Sequence, residues 1–236
     1  MRTHLSFTII LLFLIFVPFV TAQQEQSVQI IFEKDIDAQM RDIEIQVFRK
    51  QALEGDRDVK LNVLVSIQDK IDNGDKIDNP EMISIIESLT LEGTAGVETR
   101  ELDALVNYYP MVRRQATRLL GKIGNPISIP TLLTTLLRDS DNMIRAEAAY
   151  ALGAIGSDDQ AVLDSLSLAA RRIDPVTPHN ELATAILVAV EDIAEENGGV
   201  FDPLIMTALV QIATGNYYRQ VREKALDVLK GLRKFR

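Results

Sequence analysis

The chain has 236 residues, of which 25 are Lys or Arg and 34 are Asp or Glu, so its formal net charge is −9. An acidic chain does not attract nucleic acid non-specifically, which argues against DNA-binding and RNA-binding functions. The chain has no Cys and only two His, which argues against a disulfide framework and a zinc site.

The N-terminus has the three parts of a secretory signal peptide. These are a basic residue, Arg2, an apolar run over residues 9–19 and a small residue, Ala22, at the predicted cleavage site. An uncleaved membrane anchor is the alternative, but the run is short for a transmembrane helix, which needs about 20 residues. We therefore expect residues 1–22 to be removed and the protein to be exported, either to the periplasm or as a secreted protein. The remaining residues 23–236 hold 24 basic and 34 acidic side chains.

Helix-period apolar segments follow one another in pairs along residues 23–236, with no long linker, which predicts a single array. The approximate units are 28–71, 80–124, 125–156, 157–197 and 198–236. The first helix of the first unit carries the apolar residues Phe32, Ile36, Met40, Ile43 and Val47. Residues 93–106 interrupt the second unit as an atypical insertion. First helices are also predicted at 80–91, 126–137, 160–173 and 203–213.

The second helices carry a repeat. Residues 112–124 and 144–156 align without a gap, 221–233 is a third copy, and weaker copies begin at Leu182 and Val59. Apolar residues of the second copy fall on one helix face: Ile144, Ala148, Ala151, Leu152 and Ile155. The alanines among them, with Gly121 and Gly153, predict close packing between neighbouring helices. Gly124 and Gly156 stand where C-caps belong.

A family resemblance is carried by Asp139, Ile144, Arg145, Ala148, Ala151, Leu152, Gly153, Ile155 and Gly156. These residues resemble the HEAT-repeat family in its bacterial HEAT-like form. The resemblance covers most of residues 100–236 and only loosely residues 28–91. It implies an all-α fold, a right-handed α-solenoid of about five antiparallel helix pairs.

The resemblance also implies a hydrogen-bonded ladder between stacked turns, formed by a turn residue and an Arg six positions later. The matching pairs are Asn107/Arg113, Asp139/Arg145 and Asn216/Arg222, and Glu54/Lys60 repeats the spacing. The fourth repeat departs from this pattern because Ala183 stands where the Arg belongs. We therefore expect the ladder to be interrupted there.

No catalytic, cofactor-binding or metal-binding constellation emerges from the sequence. The only His beyond the signal is His179, in a Pro-rich turn, where a solvated turn residue is the favoured interpretation. Residues 72–78 look faintly like a calcium loop but lack its closing Glu. We expect neither an enzyme nor a bound cofactor.

Two surface features are candidates for partner binding, namely the paired tyrosines and the basic C-terminal end. They comprise Tyr108, Tyr109, Tyr217, Tyr218, Arg219, Lys230, Arg233 and Lys234. Tyr is favoured at interfaces, but each pair recurs in register with the repeat, which favours packing on the preceding turn. The basic end could contact an acidic partner or anionic lipid headgroups, or could complement the last helix dipole.

The leading hypothesis is a non-catalytic protein–protein interaction or scaffold module of the bacterial cell envelope, which presents a curved helical groove to another protein. No nucleic acid and no small-molecule substrate are expected. Two alternatives remain. One is a HEAT-like subunit associated with an enzyme, similar to bilin-lyase subunits, and the other is a peripheral membrane-surface binder that uses the basic C-terminal helix.

Overall fold

The computed structural model describes residues 36, 38–94, 100–101, 104–105, 107–200 and 202–233. The chain divides into two compact units, residues 1–47 and residues 48–236. In the first unit the described residues are helical. The predicted signal and Phe32 lie outside the described residues.

Ten α-helices and one short strand pair make up the described part of the chain. The helices are α1 (residues 38–54), α2 (Arg57–Asp72), α3 (Pro80–Leu91), α4 (Pro110–Ile123), α5 (Ile129–Arg138), α6 (Asn142–Ile155), α7 (Gln160–Arg171), α8 (Asn180–Glu196), α9 (Pro203–Thr214) and α10 (Arg219–Arg233). The antiparallel strands are β1 (Arg100–Glu101) and β2 (Ala104–Leu105). The helices pack in pairs, which confirms the predicted all-α fold.

Local sequence signals set the helix ends. Asp and Asn side chains cap helix N-termini, as Asp202 does for α9 by accepting from the Leu204 and Ile205 amides. Gly124 and Gly156 end α4 and α6 in the left-handed conformation, at φ 66° and 72°, which confirms their predicted C-cap role. His179 is the N-cap of α8, because its Nδ1 accepts from the Leu182 amide at 3.2 Å.

The second helices form one continuous layer. We call α3, α5, α7 and α9 the A helices and α2, α4, α6, α8 and α10 the B helices. Each A helix from α3 onward contacts the B helix that follows it, and each B helix contacts the next B helix. The core lies between the two layers, where fully buried residues include Leu120, Leu136 and Ile186. One helix pair alone leaves an apolar face open, so burial requires stacking.

Glycines set the spacing within the B layer. A Cβ on Gly121 would lie 2.8 Å from the Ala151 Cα, and a Cβ on Gly153 would lie 2.6 Å from the Ala189 Cα. No real Cβ tolerates such distances, so these positions admit only glycine without movement of the helices. The predicted close approach is confirmed.

Three local features of the structure were not predicted. In the first helix the apolar residues Ile36, Met40, Ile43 and Val47 are exposed, and the buried residues of α1 are Ile45, Phe48 and Ala52. The 126–137 segment begins as a 3₁₀ turn, Pro126–Ser128, before α5. A second proline, Pro130, lacks the amide proton that would extend one α-helix back through this segment. The 93–106 insertion contains the strand pair, which the sequence did not predict.

Candidate functional site

The turns that join each A helix to its B helix lie along one edge of the stack, which we call the turn edge. Hydrogen bonds connect neighbouring turns there. The Asn216 side chain donates to the Val176 carbonyl at 3.1 Å, and the Tyr218 amide donates to the Asn180 Oδ1 at 2.8 Å. These bonds join turns about 40 residues apart in sequence. The repeats therefore stack in parallel with their turns in register.

The strongest contact between turns is the ion pair of Arg113 and Asp139. Arg113 Nε donates to Asp139 Oδ2 at 2.9 Å and Nη2 donates to Oδ1 at 3.3 Å, while the two side chains are 0% and 1% exposed. Asp139 also accepts from the Asp141 amide at 2.8 Å. The Arg113 of one repeat thus reaches the acid of the next repeat, 26 residues along.

A second buried pair adjoins the first. Lys60 Nζ donates to Glu92 Oε1 at 2.5 Å, and Arg113 reaches the Glu92 carbonyl at 3.5 Å. Among the described residues, the buried Glu92 Oε2 has no hydrogen-bond partner. The repeat spacing pairs Lys60 with Glu54, six residues earlier, but the structure pairs it with Glu92 of the next repeat. Local spacing located Lys60, but it could not identify a partner that stacking brings from the next repeat.

The other ladder residues are placed differently. Arg145 Nε donates to the Leu136 carbonyl at 2.8 Å and Nη1 donates to Asn142 Oδ1 at 2.8 Å, so it caps the end of α5. Burial, followed by the charge of Arg172, lowers the pKa of Arg145, and Asp139 opposes this shift. Arg222 is exposed. The structure therefore does not repeat one contact at every turn.

The remaining ladder positions are Asn107 and Ala183. Asn107 lies at the root of the insertion, and its carbonyl oxygen is 2.4 Å from the site of a Cβ on Gly93. Ala183, which replaces the Arg in the fourth repeat, is fully buried. The amides of Asn180 and Asn216 connect the fourth and fifth turns in its place.

The tyrosine pairs differ between the two copies. Tyr108 lies 4.7 Å from the Arg113 guanidinium carbon, measured to the ring centroid, and the Tyr109 ring lies 6.0 Å from Lys60 Nζ. Tyr217 is partly buried, and burial raises its pKa. Tyr218 is 70% exposed. Tyr218 is therefore the tyrosine most available to a partner.

The basic end is only partly within the described residues. Arg219 Nε donates to Glu223 at 2.7 Å, and Lys230 donates to Asp227 at 3.0 Å. Hydrogen bonding to Glu223 raises the pKa of Arg219. The Arg233 side chain and Lys234 lie outside the part that the structure describes.

The outward side of the B layer forms a second continuous surface, which we call the B-helix face. On the central helices it comprises Met111, Arg114, Arg118 and Lys122 of α4, Met143, Glu147, Tyr150 and Ala154 of α6, and Glu181, Thr184, Val188, Glu191 and Glu195 of α8. These residues recur every three or four positions and are exposed or half-buried.

A polar contact crosses every junction of the B-helix face. Lys122 pairs with Asp72 at 3.5 Å, and Glu147 accepts from Arg114 at 3.0 Å and from Arg118 at 2.5 Å. The remaining contacts are Tyr150 to Glu181 at 3.2 Å and Lys224 to Glu191. These contacts hold the charged side chains of the face in defined positions.

The charge of the face changes along the stack. α4 presents Arg114, Arg118 and Lys122, whereas the C-terminal half of α8 presents Glu191, Asp192 and Glu195. Burial, then the charges of Glu191 and Glu195, raises the pKa of Asp192. Burial and Glu181 raise the pKa of Tyr150 to about 12. A partner would therefore meet a basic end and an acidic end.

Within the described ranges no group of three His, Asp or Glu side chains is arranged to hold a metal ion. No helix among the described residues is both long and apolar enough to cross a membrane.

Comparison with known proteins supports the fold. Residues 99–177 match a family model described as HEAT repeats. No curated protein matches the sequence. The fold is similar to a chain in the complex of CpcE and CpcF of phycocyanin lyase from Nostoc sp. PCC7120, with a TM-score of 0.54 and 16% identity. That similarity covers 81% of this chain and 66% of the other, so this chain spans slightly less than two thirds of its length.

Proposed function

We propose that this chain is a HEAT-repeat subunit that binds a second protein through its B-helix face and works in association with an enzyme, as a lyase subunit does. The observation that carries the proposal is the B-helix face itself. It is continuous over neighbouring helices, and ion pairs hold its side chains in place before any partner arrives. Such pre-organisation reduces the entropy lost on binding.

The structural comparison favours the enzyme-associated role over a freestanding scaffold. The similar solved chain comes from a complex of two proteins, CpcE and CpcF of phycocyanin lyase. A stack of this kind gives partners an extended surface, which a small compact domain lacks. In this proposal the chain supplies the binding surface, and the partner or the complex supplies the chemistry.

The test uses two matched substitutions. Met111 and Leu204 each follow a proline in the first turn of their helix and are 62% and 42% exposed, but only Met111 lies on the B-helix face. The full-length chain is purified from its own cells at native expression, and the mass of its complex is measured by light scattering. We expect a defined complex with a second protein that Met111→Asp abolishes and Leu204→Asp preserves.

A complex that survives Met111→Asp and Arg118→Glu would show that another surface binds the partner. A monodisperse single chain at native expression would contradict the proposal itself. The lyase-type association has its own readout, because a bilin that copurifies with the complex absorbs visible light. A colourless complex that transfers no bilin to phycocyanin would contradict the lyase-type association, while the proposal that the chain binds a second protein would stand.

The scaffold role in the cell envelope is the second candidate, and the signal-like residues 1–22 favour it. We propose on the same ground that the protein is exported to the periplasm or secreted. Contact of the basic C-terminal helix with a membrane surface is compatible with either role. Cell fractionation distinguishes them, since a bilin-lyase association predicts the protein in the fraction that holds phycocyanin.

A further inference from the structure

Arginines concentrate at the turn edge. Between residues 123 and 223 every basic side chain other than His is an arginine. Three lie at or just after the ends of A helices and three lie in the first turns of B helices: Arg138, Arg171 and Arg172, and Arg145, Arg219 and Arg222. We call these six residues the arginine edge. It stands out in a chain whose net charge is −9.

The carboxylates of the same edge already have partners. Asp139 is paired with Arg113, and Glu181 accepts from the Tyr150 hydroxyl. Asp174 accepts from the Val176 amide and from the Thr177 hydroxyl at 2.8 Å. In the described part of the chain, five members of the arginine edge have no carboxylate at ion-pair distance, namely Arg138, Arg145, Arg171, Arg172 and Arg222.

Helix dipoles do not account for the arrangement. Arg138 and Arg171 lie in the last turns of their helices, where a cation is stabilising. Arg145 lies in the first turn of α6 but donates to the Leu136 carbonyl at the end of α5, which also favours a cation. Arg219 and Arg222 instead lie at the N-terminus of α10, where the partial charge is positive, and α10 has no acidic residue in its first turn. These two cations therefore occupy positions that the helix dipole disfavours.

Like charges also meet at this edge. The charge of Arg172 acts on Arg145 and, after burial, is the second cause that lowers the pKa of Arg145. An anion bound beside the two guanidinium groups would relieve this repulsion. Arginine presents a planar fork of donors, which matches a carboxylate in two parallel hydrogen bonds.

Two exposed apolar side chains accompany the arginines. Val176 is 73% exposed and Tyr218 is 70% exposed. The hydrogen bonds from Asn216 to Val176 and from Tyr218 to Asn180 join their two turns. The edge thus combines fixed apolar anchors with cations, which is the composition of a protein-binding site with Tyr and Arg at its centre.

We propose that the arginine edge, with Val176 and Tyr218, docks an acidic segment of the partner protein. This inference rests on the proposed function and adds a second contact, separate from the B-helix face. A lipid surface is the other anionic candidate, but it recognises lysine as well as arginine and needs no joined turns. The all-arginine composition and the two anchors favour a protein segment.

The test is binding of a fluorescein-labelled peptide of glutamate and leucine to the full chain, followed by fluorescence anisotropy. Arg172→Gln/Arg222→Gln removes two exposed cations of the edge, and we expect the Kd to rise by roughly tenfold or more. Tyr218→Ala should also weaken binding. The affinity of the unaltered chain should fall as salt is added, because the contact is between charges.

The matched control is Arg41→Gln/Lys76→Gln, which changes the net charge equally at exposed positions outside the turn edge. If both double variants weaken peptide binding equally, net charge alone explains the effect and the proposal is overturned. Absence of peptide binding by the unaltered chain at low salt would also overturn it. Binding to phosphatidylglycerol vesicles but not to the peptide would assign the edge to a membrane instead.

The native complex separates this inference from the proposed function. If the Arg172→Gln/Arg222→Gln variant forms the native complex normally, docking at the arginine edge is contradicted. The B-helix face then remains the proposed partner site. If the unaltered chain forms no complex, the proposed function fails whatever the peptide shows.

Discussion

Arg113 and Asp139 form a fully buried, two-bond ion pair between consecutive repeats. A buried charge that loses its partner retains its desolvation penalty. Removing one member of the pair therefore lowers the free energy of unfolding by more than the pair as a whole contributes to it. Arg222 occupies the same repeat position as Arg113 but is exposed. Environment, rather than residue type, decides what each arginine contributes to stability.

Arg113→Met should therefore lower the free energy of unfolding by about 3–5 kcal/mol, because Asp139 is left buried and unpaired. Arg222→Met should change it by less than about 0.5 kcal/mol, as an exposed substitution. Urea unfolding of both variants measures the difference. Similar costs at the two positions would contradict a special role for the buried pair.

Ala148 and Glu147 test the register of α6. Ala148 is fully buried, so Ala148→Leu should cost about 1–3 kcal/mol through overpacking. Glu147 lies beside Ala148 but outside that buried face, and its side chain is 12% exposed and is bound by two arginines. Those arginines are 38% and 53% exposed, so solvent screens the pairs, and Glu147→Gln should cost about 0.5–1 kcal/mol. Denaturant unfolding in which Glu147→Gln proves costlier would show the register to be wrong.

Asp192 should make stability depend on pH. Its pKa is raised in the folded chain by burial and by the charges of Glu191 and Glu195. The folded state then binds its proton more tightly than the unfolded state, so this group's contribution to stability falls as pH rises through the raised pKa. Asp192→Asn should therefore raise the thermal midpoint at pH 7, and the gain should vanish below the ordinary pKa of 3.8.

Asp174 provides the control of opposite sign. Hydrogen bonds from the Val176 amide and the Thr177 hydroxyl lower its pKa. Its contribution is present at neutral pH and is lost as pH falls through the lowered folded pKa. Asp174→Asn should lower the midpoint at pH 7. Shifts of the same sign for both variants would refute this electrostatic account.

At the scale of elements, glycine spacing in the B layer sets how closely neighbouring helices approach. A Cβ on Gly153 would lie 2.6 Å from the Ala189 Cα, whereas a Cβ on Gly231 in α10 would meet nothing within 4 Å. Gly153→Ala should cost about 1–3 kcal/mol through overpacking between α6 and α8. Gly231→Ala should stabilise by about 0.5–1 kcal/mol through helix propensity. Thermal unfolding of the two variants should move in opposite directions, and two shifts of equal sign would contradict the packing argument.

Most elements follow from local signals. The apolar period and the capping residues located α3, α7 and α9 to within two residues of their observed ends. In α1 the apolar period did not show which residues are buried, because periodicity marks an apolar stripe without naming the helix that it packs against. The strands of the insertion are two residues each, too short for an alternating pattern.

At the scale of the molecule, the N-terminal residues lead us to predict export. Residues 1–22 have the pattern of a cleaved signal. Protein recovered from cells should therefore begin at or near Gln23, as N-terminal sequencing or intact mass will show. Recovery of chains that begin at Met1 would refute cleavage. Export of a chain in which Leu11→Arg and Leu14→Arg interrupt the apolar run would refute signal dependence.

The amino-acid sequence by itself determined the stacked helix pairs, the glycine contacts and the C-caps at Gly124 and Gly156. Each of these depends on residues that recur at a fixed period, and a helix pair with one apolar face has to stack. The repeat therefore specified the architecture without any knowledge of the neighbours.

Only the tertiary structure decided which charged groups meet. The sequence paired Asp139 with Arg145 within one repeat, but stacking brings Arg113 of the preceding repeat to Asp139 and leaves Arg145 on a helix carbonyl. Stacking likewise gathers Arg172 and Tyr218 on one edge and joins Glu147 to α4. Contacts between repeats depend on the rise and rotation from one helix pair to the next, and no local period in the sequence encodes those values.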